Sequence, residues 1–188
     1  MKKLLLTILF LIAISLFNAQ PPVIKSTSTN PLKPTYQNFN NRRQTLLEKE
    51  VIKLGEFKDL TIEKITLKDT SDQSSLSVVG LMTFSETFDQ ISKKTTILEK
   101  EELSKFIIAL EKLEKNSSTK PENETKFKYL TSNNIEVGSV YNQTLKNWEH
   151  YLKIPQSTYN RNAMGFNNSE LRDFIKLLKK AEQHLQKQ

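Results

Sequence analysis

Two stretches of this chain repeat one another 68 residues apart, and that repeat limits its fold more than any other feature. ELSKFIIALEKLE (102–114) aligns with ELRDFIKLLKKAE (170–182), and seven of thirteen positions are identical. In the first stretch Leu103, Phe106, Ile107, Leu110 and Leu113 recur at i, i+3, i+4, i+7 and i+10, one apolar stripe along an amphipathic helix. In the second, Leu171, Phe174, Ile175, Leu178 and Leu185 fall on one face at i, i+3, i+4, i+7 and i+14. Amphipathic helices converge on apolar positions by themselves, but here the agreement extends to residue identity. Each helix also follows a short strand-like run, TTIL (95–98) or AMGF (163–166). Asn167 with Glu170 three residues later has the form of a capping box, which starts the second helix at about Ser169.

Strand signals precede each helix. LTIEKITLKD (60–69) is rich in β-branched residues and sets Thr66 and Lys68 away from Ile65 and Leu67. LSVVGLMTF (76–84) puts Leu76, Val78, Met82 and Phe84 on one face and Val79 and Leu81 on the other, the pattern of a strand buried on both sides. Between them, DTSDQSS reads as a polar hairpin loop. Asp69 and Asp72 lack the glycine and the closing glutamate of a calcium loop. In the second half, KFKYLT, a tight Asn133-Asn134 turn and IEVGSVY read as a hairpin, and NWEHYLKI (147–154) alternates cleanly. NSSTKPENET (116–125) is a polar break between the halves. Residues 42–54 carry Leu46, Leu47, Val51 and Leu54 at a weak helical spacing that stops at Gly55, so a short helix is expected there.

The expected fold is α+β: two antiparallel strands-then-helix units, an internal duplication, with about seven strands and two main helices. The half-units fall at about 57–115 and 126–186, inside a single domain spanning 42–188. Each helix is expected to cover its own sheet with its Leu/Phe/Ile stripe. This arrangement is similar to the duplicated strands-plus-helix pattern of Whirly and Pur-type single-strand nucleic-acid binders, although none of their motifs is present. Over residues 57–186, KFKYLTSNNIEVGSVYNQTLKNWEHYLKI followed by SELRDFIKLLKKAEQHL resembles small exported proteins of unknown function from flavobacterium-like bacteria. That resemblance implies export and brings no assigned activity.

The N-terminus reads as a secretory signal peptide. Lys2 and Lys3 form a basic start, residues 4–17 an apolar stretch broken only by Thr7 and Ser15, and Asn18-Ala19-Gln20 leads into Pro21-Pro22. Cleavage is expected after Ala19, with Phe17 larger than the usual residue at that spacing. Fourteen apolar residues reach about 21 Å, short of the ~30 Å hydrocarbon core that an anchor must cross. Residues 20–41, QPPVIKSTSTNPLKPTYQNFNN, hold four prolines and no sustained period, so they read as a flexible linker. Removal of Lys2 and Lys3 with the leader turns 28 basic residues into 26 against 21 acids, a net charge of +5. Nearly all of it is lysine, and the lysines alternate with glutamates along the helices. That is a solvated face rather than a basic stripe, which weighs against a nucleic-acid partner; a single-strand nucleic-acid binder of Whirly/Pur-like architecture, suggested by net charge and module type, is the third alternative.

Absent residues exclude much chemistry. Without cysteine there are no disulfides, thiolate metal sites or cysteine nucleophiles. Four glycines and no P-loop rule against a Gly-rich phosphate cradle, and no zinc-protease, serine-hydrolase or S-x-x-K motif occurs. Neither a metal nor a cofactor is expected. Of the two histidines, His150 shares the Trp148, Leu152 and Ile154 face of its strand and reads as a core histidine. An exported hydrolase pairing His150 with a carboxylate is the catalytic alternative. The favoured expectation is an exported, non-catalytic binding module for an unknown protein or envelope component. Its contact residues are Tyr151, on the polar face with Glu149 and Lys153, and Tyr159 and Arg161, in the polar loop 155–162. Arginine makes planar, bidentate contacts that the many lysines cannot, and Arg161 is one of only four. Trp148 alternates with Leu152 and Ile154 and is assigned to the core.

Overall fold

The structure is a computed structural model that describes residues 35–87, 90–155 and 163–186. The leader and the linker through residue 34 lie outside the described residues, as does most of the loop carrying Tyr159 and Arg161.

The elements run α1 (Tyr36–Asn40), β1 (Leu47–Phe57), β2 (Leu60–Asp69), β3 (Ser75–Thr87), β4 (Gln90–Leu98) and α2 (Lys100–Asn116). They continue with β5 (Lys126–Leu130), β6 (Glu136–Asn142), β7 (Asn147–Lys153), β8 (Met164–Phe166) and α3 (Asn168–Gln186). Strands β1 to β4 form one antiparallel sheet in sequence order, and β5 to β8 form a second in the same way. The α+β class and the order of strands followed by a helix, twice over, therefore stand. The strand count is eight rather than seven.

The eighth strand is β1, which replaces the helix expected over 42–54. Its residues 48–53 are exposed on both faces, so burial imposes no alternation on them. A register shift between Lys53 and Gly55 then changes the phase and turns Leu54 and Phe57 inward. Gly55 is not a helix cap. A side chain there would meet Leu177 of α3 at 2.6 Å, so glycine lets the helix approach the strand closely. The other strands fall where alternation put them, and Leu67, Val78, Val79 and Leu81 confirm burial on both faces of the first sheet.

The second departure concerns the helices. Each was expected on its own sheet, but the two lie against each other and share both sheets. Helix α3, from the second half, contacts β1, β2 and β3 as well as β7, and α2, from the first half, contacts β3, β5 and β6. Their stripes close on one core with the inner faces of both sheets. At its centre four phenylalanines join four elements. Phe57 of β1 stacks on Phe174 of α3 at 4.4 Å and meets Phe166 of β8 edge-on at 5.4 Å; Phe174 in turn meets Phe106 of α2 at 6.3 Å.

The first sheet carries a second layer on its other face. Phe39 of α1 is only 1% exposed, α1 contacts β3, and Ile65, Leu67, Val78 and Met82 are buried on that side. Helix α1 is fixed at both ends. The Tyr36 amide donates to Glu99 Oε1 at 2.7 Å, and the Arg42 guanidinium lies over the Phe39 ring while donating to Asp69 at 2.9 Å. The hydroxyl of Thr45, Arg42 and the Ser71 amide hold the Asp69 carboxyl well below the usual carboxylate range. The polar loop with the two aspartates is thus a turn clasped by an arginine, and the last residues of the expected linker belong to the folded unit.

Phe106 and Phe174 are both fully buried, so Phe106→Ala and Phe174→Ala are each expected to cost about 3–5 kcal/mol in denaturant melts. Because their rings touch, the double variant is expected to cost less than the sum. Additive losses would show that the two halves do not share this core.

Candidate functional site

Strand β7 presents two different chemistries because its side chains alternate. Trp148, His150 and Leu152 point to the helices, paired across β6 with Tyr141, Ser139 and Val137. Glu149, Tyr151 and Lys153 point outward, paired with Val140, Gly138 and Glu136.

The inward chemistry is a closed polar network. His150 and Ser139 are each 1% exposed. The Ser139 hydroxyl lies 2.6 Å from His150 Nδ1, and His150 Nε2 lies 2.6 Å from Asn168 Oδ1. An amide oxygen only accepts, so Nε2 carries the proton and Nδ1 accepts from the serine. The ring stacks on Phe166 at 5.7 Å. Asn168 opens α3, where the neighbouring Asn167 side chain accepts from the Ser169 and Glu170 amides and the Asn167 amide donates to Glu170, the capping box expected from the sequence. The histidine therefore ties β6 and β7 to the start of α3. Both of its nitrogens are filled and neither partner is a carboxylate, so the arrangement of the hydrolase reading is not what surrounds it. Trp148 is likewise structural: its indole N–H donates to the Thr119 carbonyl at 2.8 Å, and its ring packs on Phe127 and Tyr141.

The outward chemistry is open. Among the described residues no helix packs on this side of the second sheet. Tyr151 is half-buried and lies across Gly138, where any Cβ would stand 2.5 Å from the phenol. Its hydroxyl donates to Glu136 Oε1 at 3.0 Å. The ammonium groups of Lys153 and Lys126 sit 5.3 and 5.5 Å from the ring centre, within cation–π range. Burial, and then the hydrogen bond to a carboxylate, push the phenol up to about 12. Burial opposes the charge of Glu136, but the phenol and Lys153, Lys128 and Lys126 outweigh it and hold that carboxyl below its ordinary value. The ring is thus clamped between a glutamate and two lysines.

Beside it, β8 pairs with only three residues of β7 and leaves residues 147–149 without a partner on that edge. The gap is a hollow of about 410 Å³ whose lining includes Asn147, Glu149, His150, Tyr151, Phe166 and Asn167. This surface can stack on a flat group and hydrogen-bond polar ones. No cluster of metal-ligating side chains occurs among the described residues.

Of the three expected contact residues, the structure thus places Tyr151 on the open face. Tyr159 and Arg161 lie outside the described residues, in the loop that joins β7 to β8. Sequence reasoning missed Lys126, Lys128, Gly138 and Glu136. The alternation of KFKYL against EVGSV, set in register by the Asn133-Asn134 turn with Asn134 at φ 61°, is the signal that unites them.

Burial holds His150 below its ordinary value of 6.5 despite the opposing bond to Asn168. Between the lowered value and 6.5 the unfolded chain binds more protons than the folded one, so stability rises with pH. Urea melts are expected to show full stability above about pH 6.5 and a decline as pH falls through that window. His150→Gln is expected to flatten this dependence; an identical slope in the variant would assign it to other groups.

No model of a known protein family matches this chain, and no curated protein matches it, so the reading of this surface rests on its own geometry.

Proposed function

We propose that this chain is an exported, non-catalytic binding module that meets its partner on the outer face of the second sheet, around Tyr151. The observation that carries the proposal is the clamped ring itself, on a sheet face that no helix covers among the described residues. A side chain already held by Glu136 and seated on Gly138 has little rotamer freedom left to lose on association. Tyrosine also combines apolar area with a polar tip, which suits contact surfaces. The loop with Tyr159 and Arg161 leaves the end of β7 and returns at β8, so both its ends lie next to this face. Lysines 126, 128 and 153 are interleaved with Glu136 and Glu149, which fits a partner of mixed charge, such as a protein or another envelope component.

A single-strand nucleic-acid partner is the second reading. It is favoured by one observation, the sharing of a sheet face by Tyr151 and three lysines. Two points weigh against it: the face holds one aromatic ring rather than a row of stacking platforms, and two carboxylates interrupt its charge. An oligonucleotide whose affinity falls steeply with salt would support it; salt-insensitive or absent binding removes it.

The triple change Tyr151→Ala, Tyr159→Ala, Arg161→Ala is expected to weaken binding of the native partner by at least ~2 kcal/mol while the circular dichroism spectrum and melting transition stay native. Unchanged affinity in the folded variant overturns the assignment of the surface. Export is tested separately by intact-mass measurement on the native protein. The expected mature chain starts at Gln20, and a membrane-bound species retaining Met1 contradicts it. Among the described residues no helix is long and apolar enough to cross a membrane.

A further inference from the structure

The second sheet has a free edge, and the backbone pattern shows which groups it offers. Strand β5 is the first in the order of its sheet, paired only with β6. The Tyr141 amide donates to the Thr125 carbonyl and the Thr131 amide to the Ile135 carbonyl. In an antiparallel ladder every second pair exchanges both hydrogen bonds. Residues 125, 127, 129 and 131 therefore bond inward to β6, and Lys126, Lys128 and Leu130 turn their N–H and C=O groups outward. Among the described residues no strand occupies that edge.

A trench runs along it. Its first part, about 400 Å³, lies between β5 and α2, where Ile108, Ala109, Leu113, Phe127 and Tyr129 form an apolar floor. Lys105, Lys112 and Lys128 form its rim, and no acid lines this part. The helical positions 105, 108, 109, 112 and 116 are one strip of α2, at the spacing of a single helix face. Ile108 is 49% exposed and Leu130 50%, although the apolar stripe of α2 is otherwise sealed in the core. Lys105 and Lys112 make no ion pair among the described residues, and Lys128 also acts on the Glu136 carboxyl of the outer face. Past Tyr129 and Lys105, which line both parts, the trench opens into a groove of about 750 Å³ between β5 and the free edge of β4, where Glu99, Glu101 and Glu102 join the lining and the basic rim ends.

An unpaired edge beside an apolar floor whose first part has a basic rim has a definite complement. We infer that this first part takes an extended acidic peptide from another protein, which adds a strand to the outer edge of β5, places apolar side chains on Ile108, Phe127 and Tyr129, and places carboxylates against Lys105, Lys112 and Lys128. Main-chain hydrogen bonds supply affinity in this mode, and the alternating side chains supply selectivity. The inference rests on the reading of the chain as a binding module but not on Tyr151, which lies on the outer face of the sheet; Lys128 borders both surfaces.

The test uses the purified protein and three probes: an N-acetylated eight-residue peptide alternating glutamate and valine, its counterpart with lysine in place of glutamate, and palmitate. Fluorescence anisotropy is expected to show the glutamate peptide binding about tenfold or more tightly than the lysine peptide. Hydrogen exchange is expected to slow at the amides of Lys126, Lys128 and Leu130. Lys128→Pro removes an outward N–H without breaking the ladder to β6 and is expected to abolish binding. If that variant fails to fold, Lys105→Glu with Lys112→Glu, at exposed positions of α2, is expected to invert the peptide preference. Tyr151→Ala is expected to bind the glutamate peptide as the unaltered protein does. Equal binding of the two peptides, no binding, unprotected amides on β5, or palmitate displacing the peptide would each overturn the inference. Loss of peptide binding in Tyr151→Ala would also overturn it, and would move the peptide to the face proposed above. Peptide binding at β5 beside a partner that ignores the triple change overturns only the earlier reading.

Discussion

The contact between Phe57, Phe106, Phe166 and Phe174 is the constraint on which the rest of the structure depends. Each ring belongs to a different element, two from the first half of the chain and two from the second. Neither four-stranded sheet has a helix of its own to close its inner face; α3 is needed by β1, β2 and β3, and α2 by β5 and β6. Removing one half would leave the other with an open apolar surface, so the halves are obliged to fold as one unit. Gly55 belongs to the same constraint, since a Cβ there would force the end of the Leu177 side chain to shift where α3 crosses β1. The ion pairs Arg172–Glu114 and Lys179–Glu111 then sit on the exposed side of the helix pair, where they set the alignment of α2 and α3 rather than the stability of the core.

That dependence is also why part of the fold was legible in the sequence and part was not. Local periodicity records which face of an element is buried, and β2, β3, β7, α2 and α3 each bury a defined face, so their residues announce them. Strand β1, an edge strand, does not, because residues 48–53 are exposed on both faces and the bulge after Lys53 resets the phase. The first residues of β4, Gln-Ile-Ser-Lys-Lys, are also an edge and carry no more signal than a loop; only TTIL at its end is apolar enough to read. Periodicity says nothing about which sheet a buried stripe meets. The sharing of both helices between both sheets is a property of the assembled core, which no local pattern encodes. The same order of elements in both halves agrees with a duplication, and the seven identities between the helices remain its main support.

The candidate site divides along the same line. The direction of Tyr151 follows from alternation alone, because Trp148 and Leu152 fix the inward face of β7. What surrounds Tyr151 follows from register instead. Glu136, Gly138, Lys126 and Lys128 are placed there by two successive hairpins, and register is set by turn geometry rather than by strand composition. His150 shows the converse. Its position on the apolar face was legible, yet the partners that make a buried histidine tolerable, Ser139 and Asn168, come from β6 and from the first turn of α3. A buried imidazole without them would leave two unsatisfied ring nitrogens, a cost comparable to losing a hydrogen bond at each.

The edges of the two sheets carry the last consequence. An exposed strand edge attracts other strands unless something blunts it. The outer strand of the first sheet, β1, is blunted in the usual ways: Glu48, Lys49, Glu50, Lys53 and Glu56 crowd it with charge, and the bulge before Gly55 bends it. The far edge of the second sheet is shortened, since β8 has only three residues. Strand β5 has no bulge. Its edge is straight over five residues, its charges are all of one sign, and an apolar trench lies beside it rather than solvent alone. A chain that charges one edge with both signs, shortens another and flanks β5 with lysines alone restricts what can pair there. A second copy of β5 would bring lysine against lysine, so the same charge that admits an acidic strand opposes self-association.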